Sequence, residues 1–209
     1  YEFQSYMKKI FITLFSFILV AINYNANSND LNKAYRALEI KDYSKAIYFF
    51  SYYANIGDAK SQYNYGIMLK KGLGTKKDEN EAFKWLFLSA EQGNILANYA
   101  LGNAYYRGEG VEINYKLSFQ SYLKSSILGH PAAKINLGNL YYQGKGTSKS
   151  YEKAMLWWML AESQNINGAK ENLKMLDNVI SETEKQRGLS LYNKCLRITL
   201  LECSKLQLN

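Results

Sequence analysis

Three series of glycines run through the chain at one spacing: Gly66, Gly102 and Gly138; Gly72, Gly108 and Gly144; Gly74, Gly110 and Gly146, each 36 residues apart. Self-similarity at a fixed period of this size marks a repeat array, in which each unit buries its apolar face only by stacking on its neighbours. The same offset joins Gly57, Gly93 and Gly129, then Ala46, Ala82, Ser118 and Ala154, then Phe49, Trp85 and Trp157, with Ser121 the odd member of the last series. Asn165 stands where the Gly57 series would place a further glycine, so the array decays toward its end.

Each unit reads as two helices. In the second unit Ala97, Ala100, Leu101, Ala104 and Tyr105 fall on one helix face. Gly102 on that helix lets a neighbouring helix approach closely. The Gly-x-Gly pair then ends the helix, because glycine takes the left-handed conformation at a helix C-terminus at low steric cost. A second helix follows, with a small residue at the crossing (Ala82, Ser118, Ala154) and bulk beside it in Trp85-Leu86, Tyr122-Leu123 and Trp157-Trp158. Proline occurs once, at Pro131, so little in the chain breaks helices, and the expected class is all-α.

The Leu-Gly-x-x-Tyr segments Leu101 to Tyr105 and Leu137 to Tyr141, with a small residue on the partner helix, are similar to the tetratricopeptide pattern. The added Gly-x-Gly loop, which lengthens the unit to 36 residues, resembles the Sel1-like repeat family, a tetratricopeptide-related subfamily. The resemblance implies a right-handed α-solenoid of helix-turn-helix repeats with a C-terminal capping helix region. The expected division is an opening tetratricopeptide-like unit over 27–60, repeats over 61–96, 97–132 and 133–168, and a cap over 169–209. In the cap, Ser181-Glu-Thr-Glu184 is a capping box, and Leu189, Tyr192, Leu196, Leu200, Cys203 and Leu206 form a stripe able to seal the last unit.

The first residues have another character. Met7-Lys8-Lys9 precedes an uncharged apolar run from Ile10 to Ile22 and a polar, Asn-rich stretch, the order of a secretory signal. Met7 is the expected initiator and Ala26 the expected neighbourhood of cleavage, giving a signal over 1–26. An uncleaved N-terminal anchor is the alternative, and only that would bring a membrane into play. No cysteine directly follows the apolar run, which argues against lipoprotein processing. The expected location is outside the bacterial cytoplasm, in the periplasm or secreted.

Chemistry is thin. His130 is the one histidine, which leaves no histidine metal cluster, and beside Pro131 it reads as a solvated turn residue. Gly144-Lys145-Gly146-Thr147 fails as a phosphate loop, since Asn139 stands where a glycine is needed and Gly146 where Ser or Thr is needed. No cofactor and no metal are expected. Some cysteine-rich members of the family are described as penicillin-binding proteins and weak β-lactamases. Ser-x-x-Lys occurs at Ser5/Lys8, Ser121/Lys124 and Ser150/Lys153, but neither Ser-Asp-Asn nor Lys-Thr-Gly accompanies it. No catalytic residue is assigned. In those members the spacing of Cys195 and Cys203 ties the end of one helix to the start of the next, and export would permit the bridge. A single helix over 182–206 would instead hold their Cα atoms about 12 Å apart, beyond bonding range, and both arrangements stay open. The net charge of +8 comes from scattered lysines with acids among them, a solvated surface rather than a nucleic-acid footprint.

The resemblance also implies that the first helix of each unit lines a concave face. The inward positions are Lys60, Tyr63, Ile67, Lys70 and Lys71; Leu96, Tyr99, Asn103, Tyr106 and Arg107; Ala132, Ile135, Asn139, Tyr142 and Gln143. The candidate peptide-binding set is Tyr63, Lys70, Lys71, Tyr99, Asn103, Tyr106, Arg107, Asn139, Tyr142 and Gln143. Asparagine can hold an extended backbone, tyrosine supplies contact area at low entropic cost, and Lys or Arg takes a carboxylate, so the surface suits an acidic or C-terminal peptide. Packing inherited from an ancestral unit is the competing explanation for Asn and Tyr there. The expected function is an exported protein–protein interaction scaffold. A β-lactamase-like or cell-wall-binding hydrolase, or a structural module of a larger assembly, is the alternative.

Overall fold

The computed structural model describes residues 30–208 and is helical throughout. The apolar run at 10–22, Met7, Ser5 and the expected cleavage near Ala26 lie outside the described residues. A first helix, α1, covers 30–39. It is followed by α2 (Tyr43–Asn55), α3 (Ala59–Lys71), α4 (Glu79–Glu91), α5 (Ile95–Arg107), α6 (Tyr115–Ile127), α7 (Pro131–Gln143) and α8 (Tyr151–Glu162). Then come α9 (Ala169–Asp177), α10 (Glu182–Cys195) and α11 (Leu200–Leu208). None of these helices is long and apolar enough to cross a membrane.

The 36-residue period is carried into the backbone without slippage: α3, α5 and α7 begin at Ala59, Ile95 and Pro131, and α2, α4, α6 and α8 at Tyr43, Glu79, Tyr115 and Tyr151. The starts are fixed by side-chain caps that satisfy orphan backbone donors. Asp42, Asp78, Asn114 and Ser150 accept from the N–H three residues on at the second helices, and Asp58, Asn94 and His130 do so at the first. Gly72, Gly108 and Gly144 close the first helices in left-handed conformation, with φ of 68°, 76° and 68°.

Within a unit the first helix packs on the second, and the second packs on the first helix of the next unit. The glycine of the first helix is what permits the crossing. A methyl on Gly102 would overlap the Tyr122 ring and one on Gly138 the Trp158 indole, while at Gly66 it would press on Leu86 and the Ala82 carbonyl. Ser118, the one hydroxyl at the small crossing position, donates to the Gly102 carbonyl at 2.8 Å. In the last full unit Trp157, Trp158, Leu137 and Leu156 are fully buried and share one cluster with the cap residues Leu176, Cys195 and Cys203.

The cap folds back rather than extending the array. Helix α10 packs on α8, with Gly188 against Met155 and the Glu152 backbone, and α11 reaches α6. A single helix over 182–206 is not what forms. The chain turns at 196–199, where the Glu202 N–H donates to Thr199 Oγ1 (3.2 Å) and the Thr199 N–H donates to Glu202 Oε2 (3.0 Å). That capping box starts α11 and brings Cys195 and Cys203 to 5.1 Å between Cα atoms, joined by a disulfide.

Candidate functional site

Residues of α5 and α7, with Tyr122 of α6 between them, surround a small cavity of about 110 Å³ lined by Asn103, Tyr106, Arg107, Tyr122, Asn136, Asn139 and Gln143. Five of these come from the sequence-derived set: Asn103, Tyr106, Arg107, Asn139 and Gln143. Tyr63 lines a second, more apolar cavity of about 450 Å³ with Tyr35, Lys60, Asn64 and Leu96. Burial raises the Tyr63 hydroxyl above its ordinary range.

The amides are held by the second helices. Asn103 Oδ1 accepts from the Tyr122 hydroxyl at 2.8 Å, and Asn139 Oδ1 accepts from Trp158 Nε1 at 3.2 Å and from Asn172 Nδ2 of α9 at 3.1 Å. Asn103 and Asn139 are one period apart, as are Tyr122 and Trp158. In the first full unit the same places hold Ile67 and Leu86, packed in one apolar cluster. Burial, and then the neighbouring Tyr99, push the Tyr122 phenol well above its usual value, so its hydroxyl keeps its proton and donates.

Several of the candidate side chains, with the exception of Lys71, are also engaged within the chain. Lys70 Nζ lies 2.7 Å from Glu109 Oε2, and Arg107 sits more loosely at 3.5 Å from the other oxygen. Glu109 is the middle residue of the Gly-x-Gly loop of the following unit, and Lys145, its counterpart one period on, donates to the Tyr106 oxygen at 3.2 Å. Each loop thus reaches back to the end of the first helix in the unit before it. Lys145 also stands over the Tyr106 and Tyr115 rings, and Lys149 over those of Tyr142 and Tyr151. Lys71 is exposed at the end of α3. Tyr99 is stacked on His130, with ring centroids 4.3 Å apart, and lines neither cavity.

His130 is not the solvated turn residue its neighbours suggest. It is half-buried, its Nδ1 accepts from the Ala133 N–H, and burial lowers its pKa. Asn136, Tyr122, Asn64 and Tyr35 are absent from the sequence-derived set. Asn64 and Asn136 share a register two residues before the crossing glycine, a recurrence readable in the sequence. Of the serines in Ser-x-x-Lys, Ser121 is buried on α6 and Ser150 accepts from the Lys153 N–H as the cap of α8.

The profile of the Sel1 repeat matches residues 38–58, 59–94, 95–130 and 131–165. No curated protein sequence matches the chain. Among solved structures it is similar to a Sel1 repeat protein from Oxalobacter formigenes, with 28% identity and a TM-score of 0.64 over 67% of this chain and 58% of that one. It also shares its fold with c5321, a protective antigen present in uropathogenic Escherichia coli strains displaying an SLR fold. That match has 24% identity and a TM-score of 0.74 over 87% of this chain and 41% of the other. The chain therefore spans 58% and 41% of the lengths of these two proteins.

Proposed function

The chain belongs to the Sel1 repeat family, whose solenoids generally serve protein interaction, and we propose that it is an exported scaffold that holds a protein or peptide segment along the face formed by its first helices. The observation that carries this reading is the gathering of Asn103, Tyr106, Arg107, Asn139 and Gln143, drawn from two successive units, around one cavity on α5 and α7. Polar groups on rigid helices, with rotamers fixed by partners behind them, lose little entropy when a ligand arrives. An extended acidic or C-terminal segment fits the preference of Arg107 and the amides. Export is supported by the order Met7-Lys8-Lys9, apolar run, polar stretch.

Affinity capture from an envelope fraction, repeated with Asn103→Ala and Tyr106→Ala, tests the groove. A partner identified with the parent protein and lost with both variants supports it; capture unaltered by either dismisses it. Fusion of residues 1–30 to a reporter active only outside the cytoplasm tests export separately, and an inactive fusion removes that part of the reading.

A further inference from the structure

We infer that α2 is the contact surface of a weak two-fold dimer, in which Tyr48 and Tyr52 of one copy lie across Tyr52 and Tyr48 of a second, antiparallel copy. One register of the second helices points to it. On α6 that register holds Gln120 and Lys124, both exposed, and on α4 it holds Lys84 and Leu88, also exposed. On α8 it holds Leu156 and Leu160, which are buried in the cluster that contains the cap residues Leu176, Cys195 and Cys203. Cap helix α10 lies on α8. The register is therefore most polar where water covers it and apolar where a helix does. On α2 it holds Tyr48 and Tyr52, 67% and 55% exposed, followed one turn on by Ile56 at 59%. These are residues of the covered kind, and among the described residues no helix covers them.

The stripe itself selects its occupant. Ser44, Tyr48, Tyr52 and Ile56 are evenly spaced, so an antiparallel copy centred on Phe50 sets ring against ring, and Ile56 against Ser44 and the Lys45 stem. Charge agrees with that direction. Lys45 is exposed in the first turn of α2, the positive end of its own helix dipole, and the last turn carries no basic residue. Antiparallel pairing places each Lys45 beside the last carbonyls of the other α2, where a cation is favoured, whereas a parallel pair would set the two lysines together. The Tyr48 and Tyr52 rings already rest edge-on against Phe49 and Tyr53, so little side-chain freedom is lost on contact. With about 150–250 Å² on an aromatic side chain, the rings, Ile56 and the polar rim of Ser44, Lys45 and Asn55 bury on the order of 1,000 Å² in the pair, the low end for a specific contact. The expected dissociation constant is on the order of 100 μM. The surface is on a second helix, so pairing does not depend on the proposed groove along the first helices.

Sedimentation equilibrium from about 5 to about 500 μM, on the full chain and on the chain from Asn27, tests the pairing. Tyr48→Lys with Tyr52→Lys installs the residues that α4 and α6 carry at the same places, Lys84 and Lys124, so the fold has a precedent for both. The expected result is a reversible monomer–dimer equilibrium in the parent, with a dissociation constant about tenfold or more higher in the double variant and the melting curve of the dilute protein unmoved. Lys45→Glu tests the direction, because it suits the first turn of its own helix but faces the carbonyl end of the other. It should weaken the dimer about threefold without lowering the melting temperature. A parent that stays monomeric at every concentration, or a dimer that the tyrosine variants leave unchanged, overturns the inference. A dimer that Lys45→Glu leaves unchanged or strengthens overturns the antiparallel arrangement and the ring-on-ring pairing with it. Association of the chain from Asn27 while the full chain stays monomeric also overturns it, and assigns the stripe to the segment that precedes α1.

Discussion

A methyl group placed on Gly146 would overlap the backbone carbonyl of Tyr115. Gly110 stands in the same relation to Glu79, and Gly74 to Tyr43, each pair one period from the next. The second glycine of every loop therefore seats the unit on the opening turn of the second helix before it, with backbone that cannot yield. Gly93, by contrast, has φ of 81° with open space where a Cβ would be. Gly93→Ala is expected to cost about 1 kcal/mol for its left-handed backbone, and Gly146→Ala about 3 kcal/mol or more because overlap adds to that strain. Urea midpoints of the two variants check this, and comparable losses would show that the loop seat adds nothing.

His130 occupies the cap position that Asp58 and Asn94 hold in the preceding units, but its Nδ1 can accept from Ala133 only when unprotonated. Burial lowers its pKa in the fold. As pH falls through the ordinary histidine value of about 6.5 toward the lower folded value, the unfolded chain takes up a proton that the folded chain resists, so stability drops. Above that window the contribution is complete, and below it no further change is due to this group. Protonation also sets a positive charge at a helix N-terminus. The melting temperature should fall between pH 7.5 and 5.5 more in the parent than in His130→Asn, which keeps a cap without the titration. Parallel profiles would remove the histidine from the account.

Helix boundaries were legible because the glycine series and the caps repeat without insertion from Tyr43 to Glu162. Two features were harder. The turn at 196–199 hides inside an apolar stripe, Leu189, Tyr192, Leu196, Leu200 and Cys203, whose spacing runs on as if one helix continued. Thr199-x-x-Glu202 is the same capping signal as Ser181-x-x-Glu184, but no Gly or Pro draws attention to it. At the site, the orientation of Asn103 and Asn139 depends on Tyr122 and Trp158, which read as packing bulk. The pairs Ile67/Leu86, Asn103/Tyr122 and Asn139/Trp158 change from apolar to polar together at one register, and that joint change was the available signal. The Lys70–Glu109 contact crosses from one unit to the loop of the next, 39 residues on, and helix periodicity carries no trace of it.

Lys134 is an ammonium 2% exposed at the register where the earlier units have Gln62 and Asn98. Those amides donate to the Ala54 and Ala90 carbonyls, whereas Lys134 donates to Gln164 Oε1 at 2.8 Å and has its pKa lowered by desolvation. A buried charge facing a neutral acceptor is poorly compensated. Lys134→Gln restores the amide of the first unit, and Gln164, being exposed, can turn to water. The expected gain is about 1 kcal/mol, read as a higher melting temperature at pH 7. A loss of stability instead would mean that the lysine stem and its one hydrogen bond outweigh the desolvation of the charge.

Cys195 and Cys203 lie 3% and 0% exposed in the cluster that contains Phe119 of α6 and Trp157 and Trp158 of α8. Their bridge closes a loop spanning eight residues of sequence separation, for which chain entropy gives a stabilisation of about 2–3 kcal/mol. In a solenoid each unit is coupled to its neighbours, so the loss should stay near the cap. Cys195→Ala/Cys203→Ala, chosen because a buried serine hydroxyl would need a partner, should raise amide hydrogen exchange in α10 and α11. The rise should extend to α6 and α8, on which these helices pack, and leave α2 and α3 at parent rates. Uniform acceleration over all helices would mean that the chain unfolds as one block. No acceleration at all would mean that the apolar contacts of α11 hold the cap without the bond.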